Sequence, residues 1–491
     1  MAKDLVLAID QGTTGTTVMA VNTQLDVVAK ANREFRQIFP KSGWVEHDLE
    51  DIWQSTVDTL AEVLQHFDAD RVAAIGITNQ RETVGLWNKE TGVPLHNAIV
   101  WQCRRTADRC QKLRDDGHEP RIRELTGLVV DAYFSGTKMQ WLLEHVEGAR
   151  KAAESGDAVF GTIDTFLVHR LTGREKLVTD VSNASRTLLM DLAKTEWSDE
   201  LLELFGVPRS ALAEIRSCSE VYGHTRGVPG LPDGIPVAGM AGDQQAALFG
   251  QACFDVGDVK CTYGTGAFIL MNTGRELVRS EHGLITTVGW QLGPDADPVY
   301  ALEGSVFIAG AAVQWLRDGL GLIRHSSEVE ALARQVDDAG DVVFVPALVG
   351  LGAPHWRSDV RGAIRGLGRD TTSAHLARAT LEGIALQVHE VVEATRRDAG
   401  PIRTIRVDGG ASANDLLMQL QAELAGQAVL RPDVIETTAA GAAFLAGLAT
   451  NVFPSLDAIK GRWRLSKKFE PDDPELGRRL VAKWNDALQH L

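Results

Sequence analysis

Apolar residues run unbroken from Leu5 to Ile9, stop at Asp10, and give way to Gly12, Thr13, Thr14, Gly15, Thr16 and Thr17. An apolar run of that length ended by glycine predicts a buried strand and then a tight turn. Val18 to Val21 and Val27 to Ala29 are further strand candidates, with a bend between them. From Leu49 to Phe67 the apolar positions Ile52, Val57, Leu60, Val63 and Leu64 recur at helical spacing, which predicts an amphipathic helix. Val72 to Ile77 predicts a strand ending at Thr78-Asn79-Gln80-Arg81-Glu82, and Met139 to Val146 another amphipathic helix. In the second half, Asp258 to Met271 has β-type residues broken by a Gly-Thr-Gly turn. Val342 to Pro346 and Ile402 to Val407 read as strands. Thr372 to Arg397, about Asn414 to Ala425, and Ala439 to Ala449 read as helices.

Strands alternating with helices favour an α/β architecture. The hairpin after the first glycine turn is unlike a dinucleotide-binding unit, in which a helix follows at once. The two halves echo each other without a fixed-period repeat. The chain has 491 residues, too many for one core, so two domains are expected. The boundary falls near Gly250, giving domains 1–250 and 251–491, with no Pro/Ser-rich linker and hence a close-packed hinge.

The formal net charge of −16 argues against nucleic acid or an anionic membrane as the main partner, and requires a locally positive pocket for any anionic substrate. No apolar run reaches membrane-spanning length, and the N-terminus lacks a signal-peptide layout. The five cysteines are scattered, form no CxxC pair, and are expected to be reduced thiols in a cytoplasmic protein. The charged stretch after Lys460 is expected to be a solvated extension ending in a helix.

The first turn offers free N–H groups and hydroxyls. Glycine lets backbone approach a ligand, and N–H groups lining a concavity attract phosphate. Asp10, at the strand end, is placed to hold Mg2+; a plain hairpin with Asp10 as a turn residue is the alternative. No Lys follows the glycines, so this is not a Walker loop. Two more glycine turns follow strands: Gly264-Thr265-Gly266 and Asp408-Gly409-Gly410-Ala411. Together the three suggest a nucleotide in a cleft between domains, the layout of actin-like and hexokinase-like ATPases. Asp243, between a β-run and a small-residue helix, suits either a general base on a substrate hydroxyl or a helix N-cap. Arg81 and Glu82 suit a small ligand with adjacent hydroxyls, or a surface ion pair. Trp101 walls a pocket or belongs to the core.

At these residues the chain resembles the FGGY carbohydrate kinase family. The resemblance rests on AIDQGTT, GWVEHD, AAIGITNQRET, NAIVWQCRRTA, YFSGTK, SNASRT, AGDQQAALFGQ, TYGTG, ALEG, GLGAPHW, VDGGA and AGAAFLAG, which span about Ala8 to Gly447. NQRET, WQCRR and AGDQQAALFGQ are similar to the members that phosphorylate glycerol. The resemblance implies two RNase H-like domains of actin/hexokinase type. It implies ATP-dependent transfer to glycerol, giving sn-glycerol 3-phosphate and ADP. Asp243 would be the general base; Arg81, Glu82, Tyr133, Asp243 and Gln244 would hold the hydroxyls; Trp101 and Phe268 would cover the carbon edge. Thr13, Thr14 and Gly15 would meet the phosphates, with Thr265 opposite, and Gly310, Gln314, Gly410 and Asn414 would line the nucleotide site. Asp10 would hold Mg2+ through water. A homodimer or homotetramer is expected by analogy. The alternatives are a family member acting on another polyol or a ketopentose, and a non-kinase ATPase switch.

Two positions depart from the family pattern. Thr17 stands where the family has an arginine facing phosphate, so weaker nucleotide binding or a substitute cation is expected. Gly234 stands where an arginine is expected in members inhibited by fructose 1,6-bisphosphate, so inhibition by that sugar is expected to be weak or absent.

Overall fold

The computed structural model describes residues 3–357, 359–434 and 436–491. The opening apolar run is the strand Leu5–Gln11, whose apolar side chains are fully buried. It turns back into the antiparallel strand Gly15–Asn22, the Gly12 N–H donating to the Gly15 carbonyl at 2.9 Å. Val27–Glu34 extends this hairpin. On the other side Val72–Asn79 and then Pro236–Gly242 add in parallel, and Ser219–His224 closes the edge antiparallel.

The second half builds the same pattern. Asp258–Tyr263, Ala267–Gly274 and Val299–Val306 pair antiparallel, with Ile285–Trp290 at that edge. Thr404–Asp408 and Val429–Pro432 continue in parallel on the other side of Asp258–Tyr263. Each sheet therefore sets three antiparallel strands beside two parallel ones, which is the echo legible in the glycine turns. A third sheet orders Glu46–His47, Pro94–Ile99, Val84–Asn88 and Ala158–Thr162, drawn from segments before and after Val72–Asn79.

Two elements differ from the sequence reading. The helix expected over Leu49 to Phe67 is α-helical over Leu49–Val63 and tightens to a 3₁₀ turn at Leu64–His66. The charged C-terminal stretch is more than a solvated extension. Leu465–Phe469 pairs with Val429–Pro432 at the sheet edge, and Pro474–Leu488 is a helix that buries Leu480 and Trp484. Its polar residues are the solvent face of an amphipathic docked helix.

The small-residue helix Thr437–Ala449 joins the halves. It lies on the first sheet and against the helix Asp243–Gly250. Helix and sheet are in backbone contact: a Cβ on Gly76 would fall 2.1 Å from the Ala442 carbonyl oxygen. A helix buried on all sides has no polar face, which explains its nearly all-apolar sequence. The five cysteines are free and buried. Among the described residues no helix is long and apolar enough to cross a membrane.

Candidate active site

The strand Val72–Asn79 delivers Gln80, Arg81 and Glu82 to the junction of the two halves. Glu82 has φ 60°, a left-handed conformation that costs free energy for a side-chain-bearing residue. The turn is held from three sides. Thr83 N–H donates to the Arg81 carbonyl at 2.7 Å, while Ser135 Oγ and Lys138 Nζ donate to the Glu82 carbonyl at 3.0 and 3.2 Å. Lys138 is fully buried, and burial lowers its pKa to about 8.

The turn aims Arg81 at Asp243. Arg81 Nε lies 3.1 Å from Asp243 Oδ1, Nη2 donates to the Tyr133 hydroxyl at 3.3 Å, and Nη1 donates to Gln245 Oε1 at 3.2 Å. The N-cap position of the helix Asp243–Gly250 is Gly242, and Asp243 Oδ1 both accepts from the Gln244 N–H of the first turn at 2.7 Å and faces Arg81. Gly242 has no room for a side chain, since a Cβ there would fall 2.6 Å from Arg81 Cγ. The next residue, Gln244, is held by a buried lysine: Lys260 Nζ donates to Gln244 Oε1 and, at 3.0 Å, to Thr262 Oγ1. Burial drives the Lys260 pKa down, partly opposed by the charge of Asp408.

Trp101 stands edge-on to Tyr133 and to Phe268, with ring centroids 5.6 and 6.4 Å apart. Trp101 Nε1 donates to Thr13 Oγ1 at 2.8 Å, so the aromatic wall is tied to the first glycine turn. Gln80 ties the same turn to Arg81: its Nε2 donates to the Gly12 carbonyl at 3.1 Å and to Gln11 Oε1 at 3.0 Å. Arg81, Glu82, Trp101, Tyr133, Asp243, Gln244 and Phe268, far apart in sequence, are thus brought into one polar, aromatic-flanked cluster.

Asp10 is drawn into the same electrostatic environment. Burial and then the charge of Asp243 raise its carboxyl to about 7, and Lys30 opposes them. Two carboxylates that resist sharing a site, beside hydroxyls and free N–H groups, fit a divalent cation that binds few protein oxygens and completes its shell with phosphate and water. Among the described residues no group of three or more His, Cys, Asp or Glu forms a self-sufficient metal cage.

A separate cavity of about 450 Å3 opens in the second half. Thr265, Gly310, Gln314, Gly410 and Asn414 line it, with Val313, Leu381 and Leu417 as apolar wall. Thr13, Thr14 and Gly15 lie outside it on the opposing hairpin. Thr14 is exposed, whereas Gly15 is buried with its Cβ position 2.8 Å from the Arg33 carbonyl oxygen.

Family models match both halves of this architecture. The N-terminal domain of the FGGY family of carbohydrate kinases matches residues 5–250, and its C-terminal domain matches residues 259–450. The chain belongs to the FGGY family of carbohydrate kinases. Among FGGY relatives, the glycerol kinase of Myxococcus xanthus is 59% identical over 99% of this chain and 98% of its own. The glycerol kinase of Bdellovibrio bacteriovorus is 52% identical over 99% of both. A crystal structure of Plasmodium falciparum glycerol kinase with ADP aligns at a TM-score of 0.93, with 37% identity, over 100% of this chain and 98% of that one. A xylulose kinase from Lactobacillus acidophilus aligns at 0.89 with 22% identity, which speaks to the FGGY fold alone.

The sequence reading missed Arg186, Glu303, Lys260 and Gln245, all fully buried around Arg81 and Gln244. Glu303 offered a signal: a carboxylate inside the apolar strand Val299–Val306 has to be paired. Arg186 ends a run of small polar residues and offered none.

Proposed function

We propose that this protein transfers the γ-phosphoryl group of ATP to a terminal hydroxyl of glycerol, forming sn-glycerol 3-phosphate and ADP. The observation that carries this reading is the cluster at the junction of the halves: Arg81, Glu82, Tyr133 and Gln244 gathered beside Asp243, with Trp101 and Phe268 flanking them. The full-length similarity to glycerol kinases supports it.

In this reading Arg81, Glu82, Tyr133 and Gln244 hold the hydroxyls, and Trp101 and Phe268 cover the carbons. Asp243 accepts the proton of the attacking hydroxyl as its oxygen bonds to the γ-phosphorus and the bond to the ADP oxygen breaks. A primary alcohol stays protonated at neutral pH, so proton removal has to be timed with attack, and a carboxylate fixed by Arg81 is placed for it. Thr265, Gly310, Gln314, Gly410 and Asn414 bind the nucleotide, while Thr13, Thr14 and Gly15 face its phosphates from the first hairpin. Asp10 would hold Mg2+, which when bound offsets charge on the transferring group. Closing the two halves excludes water, the competing nucleophile. The reading includes a cytoplasmic homodimer or homotetramer, which sedimentation velocity tests.

The decisive assay is ADP formation with and without glycerol, beside xylulose, ribulose and erythritol. Turnover strictly dependent on glycerol is expected; turnover indifferent to all four would overturn the reading. Asp243→Asn is expected to lower kcat by at least about 10³-fold while leaving ATP binding intact.

A further inference from the structure

Glu303 belongs to neither the polyol wall nor the nucleotide cavity, yet it touches the residue central to that cluster. It arises from Val299–Val306 in the second half of the chain and enters a cluster built by the first half. Its Oε2 accepts from Arg81 Nη1 at 2.5 Å. Its Oε1 accepts from Arg81 Nη2 at 2.8 Å and from Arg186 Nη2 at 3.0 Å. Arg186 in turn donates through Nε to Glu82 Oε1 at 2.7 Å. Two guanidiniums and two carboxylates, all with side chains at most 1% exposed, form one buried network that reaches Asp243 through Arg81. Burial alone would push the Glu303 carboxyl up; Arg186 and Arg81 outweigh it and hold it at about 2, so Glu303 is charged at any working pH.

The bidentate contact occupies both terminal nitrogens of Arg81 and fixes the plane of its guanidinium, which sets where Nε meets Asp243. The strand that carries Glu303 leads within a few residues to Ala309 and Gly310. There, Ala309 N–H donates to the Thr265 carbonyl at 2.8 Å and Gly310 N–H to the Gly264 carbonyl at 2.9 Å. Glu303 and the wall of that cavity are therefore linked through a short stretch of hydrogen-bonded backbone. The guanidinium of Arg81 is correctly held where that stretch is seated against the first half.

We propose that Glu303 is a positioning residue that fixes Arg81 for the polyol and thereby makes glycerol affinity depend on nucleotide occupancy of the opposite domain. This rests on the glycerol-kinase reading, which the wild-type assay above tests on its own.

The experiment compares wild type, Glu303→Gln and Glu303→Asp. Initial rates are taken with glycerol and ATP each varied, and glycerol dissociation constants are measured by calorimetry without and with saturating ADP. For wild type, ADP is expected to tighten glycerol binding. For E303Q the KM for glycerol is expected to rise about tenfold or more and the effect of ADP on glycerol to be lost, while the dissociation constant for ADP measured without glycerol stays within about twofold of wild type. E303D keeps the charge one methylene short and is expected to recover part of the ADP effect. Should E303Q fail to fold, E303D carries the test through the same split between glycerol affinity and glycerol-free ADP affinity. A glycerol KM that stays within twofold in the folded variants would overturn the proposal. So would ADP affinity, measured without glycerol, weakened as much as glycerol affinity, or wild-type glycerol affinity that ignores ADP.

Discussion

Single side chains here are set by what lies opposite them on a strand. Asp10 pairs in register with Thr17, and Thr17 with Asn32, whose Nδ2 donates to Thr17 Oγ1 at 2.8 Å. The cation whose charge reaches Asp10 is Lys30, two residues along the same strand and paired with Glu436 from the second half. Thr17 thus leaves the cleft face of this hairpin with one lysine already engaged elsewhere. Thr17→Arg is expected to tighten ATP and ADP binding by several-fold in calorimetry; unchanged affinities would show that Lys30 or another group supplies the charge. His47 behaves differently. It is buried, with Nε2 2.9 Å from Gln37 Oε1 and Nδ1 3.3 Å from Gln80 Nε2, and burial lowers its pKa to about 4. The unfolded value lies near 6.5, so the folded state binds fewer protons between these limits. The stability is fully present above about pH 6.5 and is lost as pH falls toward 4. Urea titrations are expected to lose up to about 3 kcal/mol from this group across that window, and His47→Asn to flatten the slope. His169, also lowered to about 4 by burial, adds a slope of the same sign.

Secondary-structure elements were legible wherever one periodicity ruled. Leu5–Gln11, Ser373–Ala399 and Asp415–Ala425 each follow an apolar run or stripe, and the structure extends or trims their predicted ends by only a few residues. The cluster around Arg81 was partly readable because Arg81, Glu82, Trp101 and Asp243 sit just past strand ends, where the pattern breaks into polar chemistry. Arg186 looked ordinary in the sequence, and Glu303, although a carboxylate in an apolar strand signals a partner, did not reveal which one until the two halves were brought together. The docked strand Leu465–Phe469 was hidden for a similar reason: an edge strand with one neighbour keeps its polar residues. The helix crossing was half-legible. Ala439 to Ala449 announced a helix but not its partners, which are set by backbone contact. A Cβ on Gly441 would fall 1.9 Å from the Ala246 carbonyl oxygen, and one on Gly250 would fall 1.9 Å from that of Thr437. Neither oxygen can move without unwinding its helix. Gly441→Ala is therefore expected to destabilise the protein by about 3 kcal/mol, despite its better helix propensity. A gain in the urea midpoint would mean that the two helices part without cost.

At the scale of the whole molecule, each half has an apolar cluster of its own, and a further cluster is shared between them. One apolar cluster draws Val6, Ala8, Met19 and Ala74 from the first sheet, Leu248 and Phe249 from the helix after Asp243, and Ala439, Ala442, Leu445 and Phe453 from the C-terminal half. The first sheet thus has one face covered by a helix encoded nearly two hundred residues beyond its last strand. Removing residues 251–491 would uncover that face and expose a contiguous apolar patch larger than soluble monomers carry. It would also strip Arg81 and Arg186 of Glu303, leaving two buried guanidiniums with Glu82 and a half-exposed Asp243 as counter-charges. Residues 1–250 expressed alone are expected to be insoluble, or to bind a hydrophobic dye and show no cooperative unfolding transition. Co-expression with residues 251–491 is expected to restore a soluble complex. Solubility and a sharp thermal transition of the isolated first half would show that the helix Thr437–Ala449 is dispensable to that sheet, and with it that closure of the two halves is a docking of finished domains rather than the completion of a shared core.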